Sequence, residues 1–178
     1  MIQVKDKKFE IYIPGNKIRE RIRELGQQIS RDYAGEQPVL VGVLNGVYMF
    51  FSELTKAISI DIEVSFTRYA SYHAGTTSSG EVKKLIGFNA DNIKGRDIII
   101  VEDIIDTGLT MNKLLQDVQE FSPRSVKVAS LLHKPEALQK QTKIDYLGFE
   151  IENKFVVGFG LDYDELGRNL TDLYVLKK

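Results

Sequence analysis

The chain has 178 residues, enough for one domain with a sizeable core, and its 43% hydrophobic and 28% charged content excludes a disordered tail or a fibre. Its 24 basic and 25 acidic side chains nearly cancel, so nothing points to bulk attraction to nucleic acid or an acidic membrane. The lack of cysteine removes disulfides, thiolate catalysis and cysteine-ligated zinc together, and it fits a cytoplasmic setting.

The amino-terminal MIQVKDKKFEIYI lacks the apolar core of a signal peptide, and no run reaches transmembrane length. Residues 16–33 place Ile18, Ile22, Leu25 and Ile29 on one helical face, with Asn16 as candidate N-cap. Val39–Leu44 (VLVGVL) reads as a buried strand. A helix over 47–58 follows, carrying Tyr48, Phe51, Leu54 and Ile58. Residues 60–69 alternate as a longer strand. The segment 70–83, ASYHAGTTSSGEVK, breaks the pattern with two glycines and a Ser/Thr run. It is long for a plain connection, which leaves both a linker and an active-site lid open.

Residues 97–110, DIIIVEDIIDTGLT, carry the densest chemistry. Ile98–Val101 suits a strand buried on both faces; Glu102 and Asp103 come where it should emerge, and Asp106, Thr107, Gly108 and Thr110 lead into a helix with Met111, Leu114, Leu115 and Val118 on its apolar side. Free N–H groups at such a helix start favour a phosphate, and the hydroxyls add donors. The carboxylates could hold Mg²⁺ or sugar hydroxyls. The same residue types also make an ordinary turn into a helix cap, and acids are common where strands surface. Ser125–His133 is a further buried strand. From about residue 143 the chain has short strand signals and many aromatics, consistent with a small β-rich cap built with the amino terminus. His73 and His133 lack metal-ligand spacing.

With these pieces in place, VEDIIDTGLT resembles the phosphoribosylpyrophosphate (PRPP) signature of the type I phosphoribosyltransferases, and Ile104-Ile105 brings it nearest the 6-oxopurine branch. VGVLNGVYMF resembles that branch's first active-site loop, ASLLHK its base-recognition strand, and KFVVGFGLDYDELGR its carboxy-terminal purine segment. The four matches run in order from about residue 39 to 170.

The resemblance implies an α/β fold: a central, mostly parallel sheet flanked by helices, with a β-rich hood from the carboxy-terminal region and the amino terminus. One domain is expected over 1–178, its core about 14–142 and its hood about 1–13 and 143–178. The implied reaction is purine salvage: PRPP and hypoxanthine, with guanine beside it, give the nucleoside monophosphate and pyrophosphate. A xanthine–guanine enzyme and an inactive nucleotide-binding regulator are the rival readings.

By the same resemblance, Asp106 is the general base or acid at purine N7, a role that requires a raised proton affinity or a strengthened hydrogen bond. Glu102, Asp103, Asp106, Thr107, Gly108, Leu109 and Thr110 bind the ribose phosphate. Asn45, Gly46, Arg168, Ser71 and Tyr72 bind pyrophosphate, the first two in a loop that often contains a cis peptide. Asn45 is a departure, since some members carry Lys or Arg there. Ile104, Lys134, Phe155, Val156 and Asp162 bind the base: Lys134 donates to O6, Phe155 stacks, and the Val156 backbone reads the ring edge. Glu102, Asp103 and Asp162 are the implied Mg²⁺ ligands. Small-molecule partners, no nucleic acid or membrane, and a homodimer or homotetramer complete the expectation.

Overall fold

The structure, a computed structural model, describes residues 1–71, 82–88 and 90–177. In chain order the elements are β1 (Ile2–Val4), β2 (Lys7–Ile13), α1 (Gly15–Asp32), β3 (Val39–Leu44), α2 (Tyr48–Ala57), β4 (Glu63–Ser71) and β5 (Val82–Ile86). Then come β6 (Asp97–Ile105), α3 (Leu109–Gln119), β7 (Ser125–His133), β8 (Tyr146–Glu150), β9 (Val156–Val157) and β10 (Leu173–Leu176).

The central sheet has six strands in the order β5-β4-β3-β6-β7-β8, all parallel except the antiparallel edge strand β5. Its middle strands are covered on both sides. Leu40, Ile99 and Val101 pack with Ile18, Ile22, Leu25, Phe50 and Leu54 of α1 and α2. Val39, Val41, Ile98 and Ile100 pack with Met111, Leu114 and Val118 of α3 on the opposite face. This two-sided burial is why these strands are continuous β-branched runs. The polar ends of β3, β6 and β7 then emerge together at the carboxyl edge, where ligands bind in open α/β sheets.

The hood is a second, antiparallel sheet in the order β1-β2-β10-β9, so the two ends of the chain pair directly. Phe9, Val157 and Tyr174 form its small core.

Two local expectations are corrected. Asn16 does not cap α1: the helix starts at Gly15, Pro14 occupies the cap position, and no side chain within the helix start bonds to it. The Gly15 N–H instead donates to Asp172 Oδ1 at 2.7 Å, from a residue just before β10. The YLGFE segment, read with the cap, is β8, paired parallel to β7 at the edge of the central sheet. Arg21 of α1 holds it there by donating to the Leu147 and Gly148 carbonyls at 2.7 and 3.1 Å. Of the segment 70–83, Ala70 and Ser71 end β4 and Val82 and Lys83 begin β5, while residues 72–81, Tyr72 included, lie outside the described residues.

Candidate active site

Glu102 and Asp103 stand at the end of β6, where the strand leaves the core. Glu102 is 8% exposed, and burial pushes its carboxyl well above the usual carboxylate range, with the Asp103 charge adding to the effect. Burial raises Asp103 too, although backbone donors and the Arg168 charge oppose it. The Ile104 N–H donates to Asp103 Oδ1 at 2.8 Å and the Asp103 N–H reaches Glu102 Oε1 at 3.2 Å. A buried acid beside a half-buried one, with mainly backbone N–H donors, is costly to the fold and suited to a cation.

The chain then turns. Gly108, at φ 77°, takes the left-handed conformation at the start of α3, which favours glycine. An added Cβ there would stand 2.3 Å from the Lys140 carbonyl oxygen, so the turn also lies flush against a neighbouring loop. Thr107 Oγ1 accepts from the Leu109 N–H at 3.4 Å. Glu102, Ile104, Ile105, Asp106, Thr107, Gly108, Thr110 and Met111 line an open pocket of about 210 Å³ at this helix start.

Lys134 enters the same place from the end of β7. Its backbone N–H donates to the Ile105 carbonyl at 3.0 Å, continuing the parallel register in which Ile105 faces His133. The side chain is largely buried, and Nζ lies 3.1 Å from Asp106 Oδ2. Two residues separated by 28 positions in sequence thus become an ion pair at the pocket rim.

A third segment closes the other side. The Leu44–Asn45 peptide is cis, and Asn45 is exposed. Gly46 is buried so tightly that an added Cβ would lie 1.7 Å from Asp103 Oδ2. The same hypothetical atom on Gly160 of the hood would lie 1.9 Å from the Gly46 carbonyl oxygen. Arg168 donates through Nη1 to the Gly160 carbonyl at 3.0 Å, and Nη2 lies 2.9 Å from Asp162 Oδ1. Tyr48 Oη donates to the Arg168 carbonyl at 3.0 Å. Asn45–Gly46, Asp103, Gly160 and Arg168 therefore form one continuous wall. Gly160 was not singled out from sequence: a glycine in GFG announces close approach but not its partner.

Phe155 is 43% exposed in the hood, with ring centroids of Phe9 and Tyr163 at 6.3 and 5.7 Å. Val156 beside it is buried against the main core. Asp162 accepts from the Glu165 N–H at 2.8 Å as well as pairing with Arg168. Among the described residues no three His, Asp or Glu side chains gather closely enough to hold a metal by themselves. Mg²⁺ usually takes one or two carboxylates and completes its shell with substrate phosphates and water. The Glu102–Asp103 pair fits that pattern.

A mostly parallel α/β sheet with two acids and a Thr-Gly turn at its carboxyl edge has the layout of a phosphoribosyltransferase, and comparison with known proteins assigns that class. The model of the phosphoribosyl transferase domain family matches residues 12–164. A hypoxanthine-guanine phosphoribosyltransferase of Lactococcus lactis is 46% identical over 97% of this chain and 93% of its own. One of Streptococcus agalactiae is 50% identical over 89% and 87%. The crystal structure of a hypoxanthine phosphoribosyltransferase from Staphylococcus aureus superposes with a TM-score of 0.88 at 38% identity, covering 97% and 92% of the two chains. The chain belongs to the phosphoribosyltransferase family, in its hypoxanthine-guanine branch. Among the described residues no helix is long and apolar enough to cross a membrane.

Proposed function

We propose that the protein transfers the 5-phosphoribosyl group of PRPP to N9 of hypoxanthine, and of guanine, releasing pyrophosphate in the cytoplasm as a purine-salvage step. The observation that carries this reading is the Lys134–Asp106 pair, 3.1 Å apart beside the phosphate-type turn. On a 6-oxopurine, O6 and N7 are neighbouring positions on one edge of the ring. An ammonium and a carboxylate held side by side match that edge: Lys134 donates to O6 and Asp106 receives the N7 proton. Lysine has donors only, so the 6-amino group of adenine finds no acceptor there.

The rest of the site follows. As C1′–N9 forms, the C1′–O bond to pyrophosphate breaks, and the proton of the incoming purine passes to Asp106. The Asp106–Thr110 turn, Leu109 included, binds the 5′-phosphate through N–H groups and hydroxyls. Asn45, Gly46 and Arg168 face the leaving pyrophosphate, and the family resemblance adds Ser71 and Tyr72 to its contacts. Asn45 has no cationic side chain, which leaves the positive charge to Arg168. Ile104, Phe155 and Val156 frame the base. Glu102 and Asp103 would hold Mg²⁺, with Asp162 joining only by releasing Arg168; when bound, the ion neutralises charge on PRPP. The whole chain acts as one domain, its core about 14–150 and its hood from the two ends, in a homodimer or homotetramer.

The test compares wild type with Asp106→Asn in turnover of hypoxanthine with PRPP and Mg²⁺. Loss of the proton acceptor should lower kcat by roughly 10²–10⁴-fold, with PRPP binding nearly kept. Near-normal turnover of the variant would reject the base assignment, and an inert wild type would reject the activity.

A further inference from the structure

The phosphate-type turn is anchored from behind by donors that the proposed reaction does not use. The Thr107 carbonyl accepts two backbone N–H groups, those of Gln139 and Lys140, at 3.0 and 3.1 Å. The Gly108 carbonyl also accepts two donors, the Asn112 N–H at 2.9 Å and Asn112 Nδ2 at 3.0 Å. The Asn112 carboxamide further lies 2.9 Å from Thr142 Oγ1 and 3.3 Å from the Gln141 carbonyl. Gly108 itself rests against Lys140, where no side chain would fit.

A trans peptide unit is planar, and its C=O and N–H point in opposite directions. Fixing the Thr107 carbonyl toward the 139–142 segment therefore holds the Gly108 N–H away from it. Fixing the Gly108 carbonyl toward Asn112 does the same for the Leu109 N–H, on the side where Thr107 Oγ1 sits. Rotation of either peptide would break two hydrogen bonds at once. Donors held in place before the ligand arrives bind more tightly than donors that must be ordered on binding.

We infer that Asn112, braced by residues 139–142, is a positioning residue for the ribose-phosphate substrate: its carboxamide fixes the Gly108–Leu109 peptide plane and ties the turn to the segment that holds the Thr107 carbonyl, so that N–H groups are presented to the 5′-phosphate. This rests on the phosphoribosyltransferase reading above. Asn112 is half-buried, one turn along α3, and does not line the pocket. It acts only through the turn.

The experiment measures PRPP binding by calorimetry in Mg²⁺, with steady-state KM values for PRPP and hypoxanthine, on wild type, Asn112→Ala and Asn112→Gln. Alanine is the better helix former, so the substitution spares α3 itself. The expected result for Asn112→Ala is a roughly 5- to 20-fold weaker PRPP affinity and a matching rise in its KM. The hypoxanthine KM and the melting temperature stay near wild type, and Asn112→Gln recovers part of the loss. PRPP affinity unchanged in Asn112→Ala would overturn the inference. So would an equal loss for PRPP and hypoxanthine accompanied by a lower melting temperature, which marks a structural role alone. A wild type that binds PRPP without turnover would end the proposed activity, yet the calorimetric comparison would still decide the role of Asn112. A wild type that binds no PRPP would overturn both.

Discussion

Lys134 reaches its carboxylate from the end of β7 while remaining 7% exposed, so its ammonium is held in place by the protein rather than by solvent. A hydrogen bond from such a charged group is worth more than a neutral one. Lys134→Ala should therefore raise the KM for hypoxanthine about 10- to 100-fold and narrow the preference over adenine, as steady-state assays on both bases would show. An unchanged base preference would move recognition elsewhere. Gly46 offers a separate test, because it works by having no side chain. In Gly46→Ala the new methyl would overlap Asp103 Oδ2, 1.7 Å from where it must sit, and the loop must shift. Displacement of that order costs about 10²-fold in kcat/KM. The melting temperature should fall far less than turnover, since the atom in the way is the end of the Asp103 side chain, which can swing aside.

At the scale of elements, the strands β3, β6 and β7 are legible in the sequence because burial on both faces favours runs of apolar residues, β-branched above all in Ile98–Val101. Val39–Leu44 is apolar throughout, and Ser125–His133 gives a weaker signal, since its buried part begins only at Val128; both match the observed strands. The features that sequence leaves unread depend on distant partners. Asn16 has the right chemistry for a cap, yet Asp172, separated from Gly15 by 157 positions, does the work by reaching back from the hood. Local pattern also cannot tell YLGFE as an edge strand from YLGFE in a cap, since its pairing with β7 is a tertiary fact. The same holds for the site. The acids, the threonines and Lys134 are visible as motif, whereas the closure of Gly46 on Gly160 is not. The Asp172 contact can be tested: Asp172→Ala should destabilise the fold by about 1 kcal/mol, lowering the melting temperature by roughly 2–4 °C. Thermal unfolding should show this with the hypoxanthine KM unaltered.

Across the whole molecule, ion pairs tie the ends of strands together opposite the site. Arg124 donates through Nε to Asp97 Oδ1 at 2.9 Å and through Nη2 to Asp97 Oδ2, and it meets Glu36 at 2.6 Å. The Arg124 hydrogen bond holds the Asp97 carboxyl below its usual 3.8. A carboxyl depressed in the folded state adds stability that is complete above the unfolded value and lost as pH falls through the folded one. Asp97→Asn should thus lower the melting temperature at neutral pH by roughly 2–6 °C, and the gap from wild type should shrink below about pH 4. A gap constant with pH would show that the charge of Asp97 does not contribute. The site sits at the opposite strand ends, so this variant should keep its turnover. The pocket at the start of α3 is lined by core residues between Glu102 and Met111, and the proposed reaction places a 6-oxopurine beside it. The most direct measurement runs PRPP and Mg²⁺ with hypoxanthine, guanine, xanthine and adenine in parallel and follows nucleotide formation. Turnover of hypoxanthine and guanine, and none of adenine, is expected. Turnover of adenine, or of no base by a folded protein that binds PRPP, would contradict the proposed function.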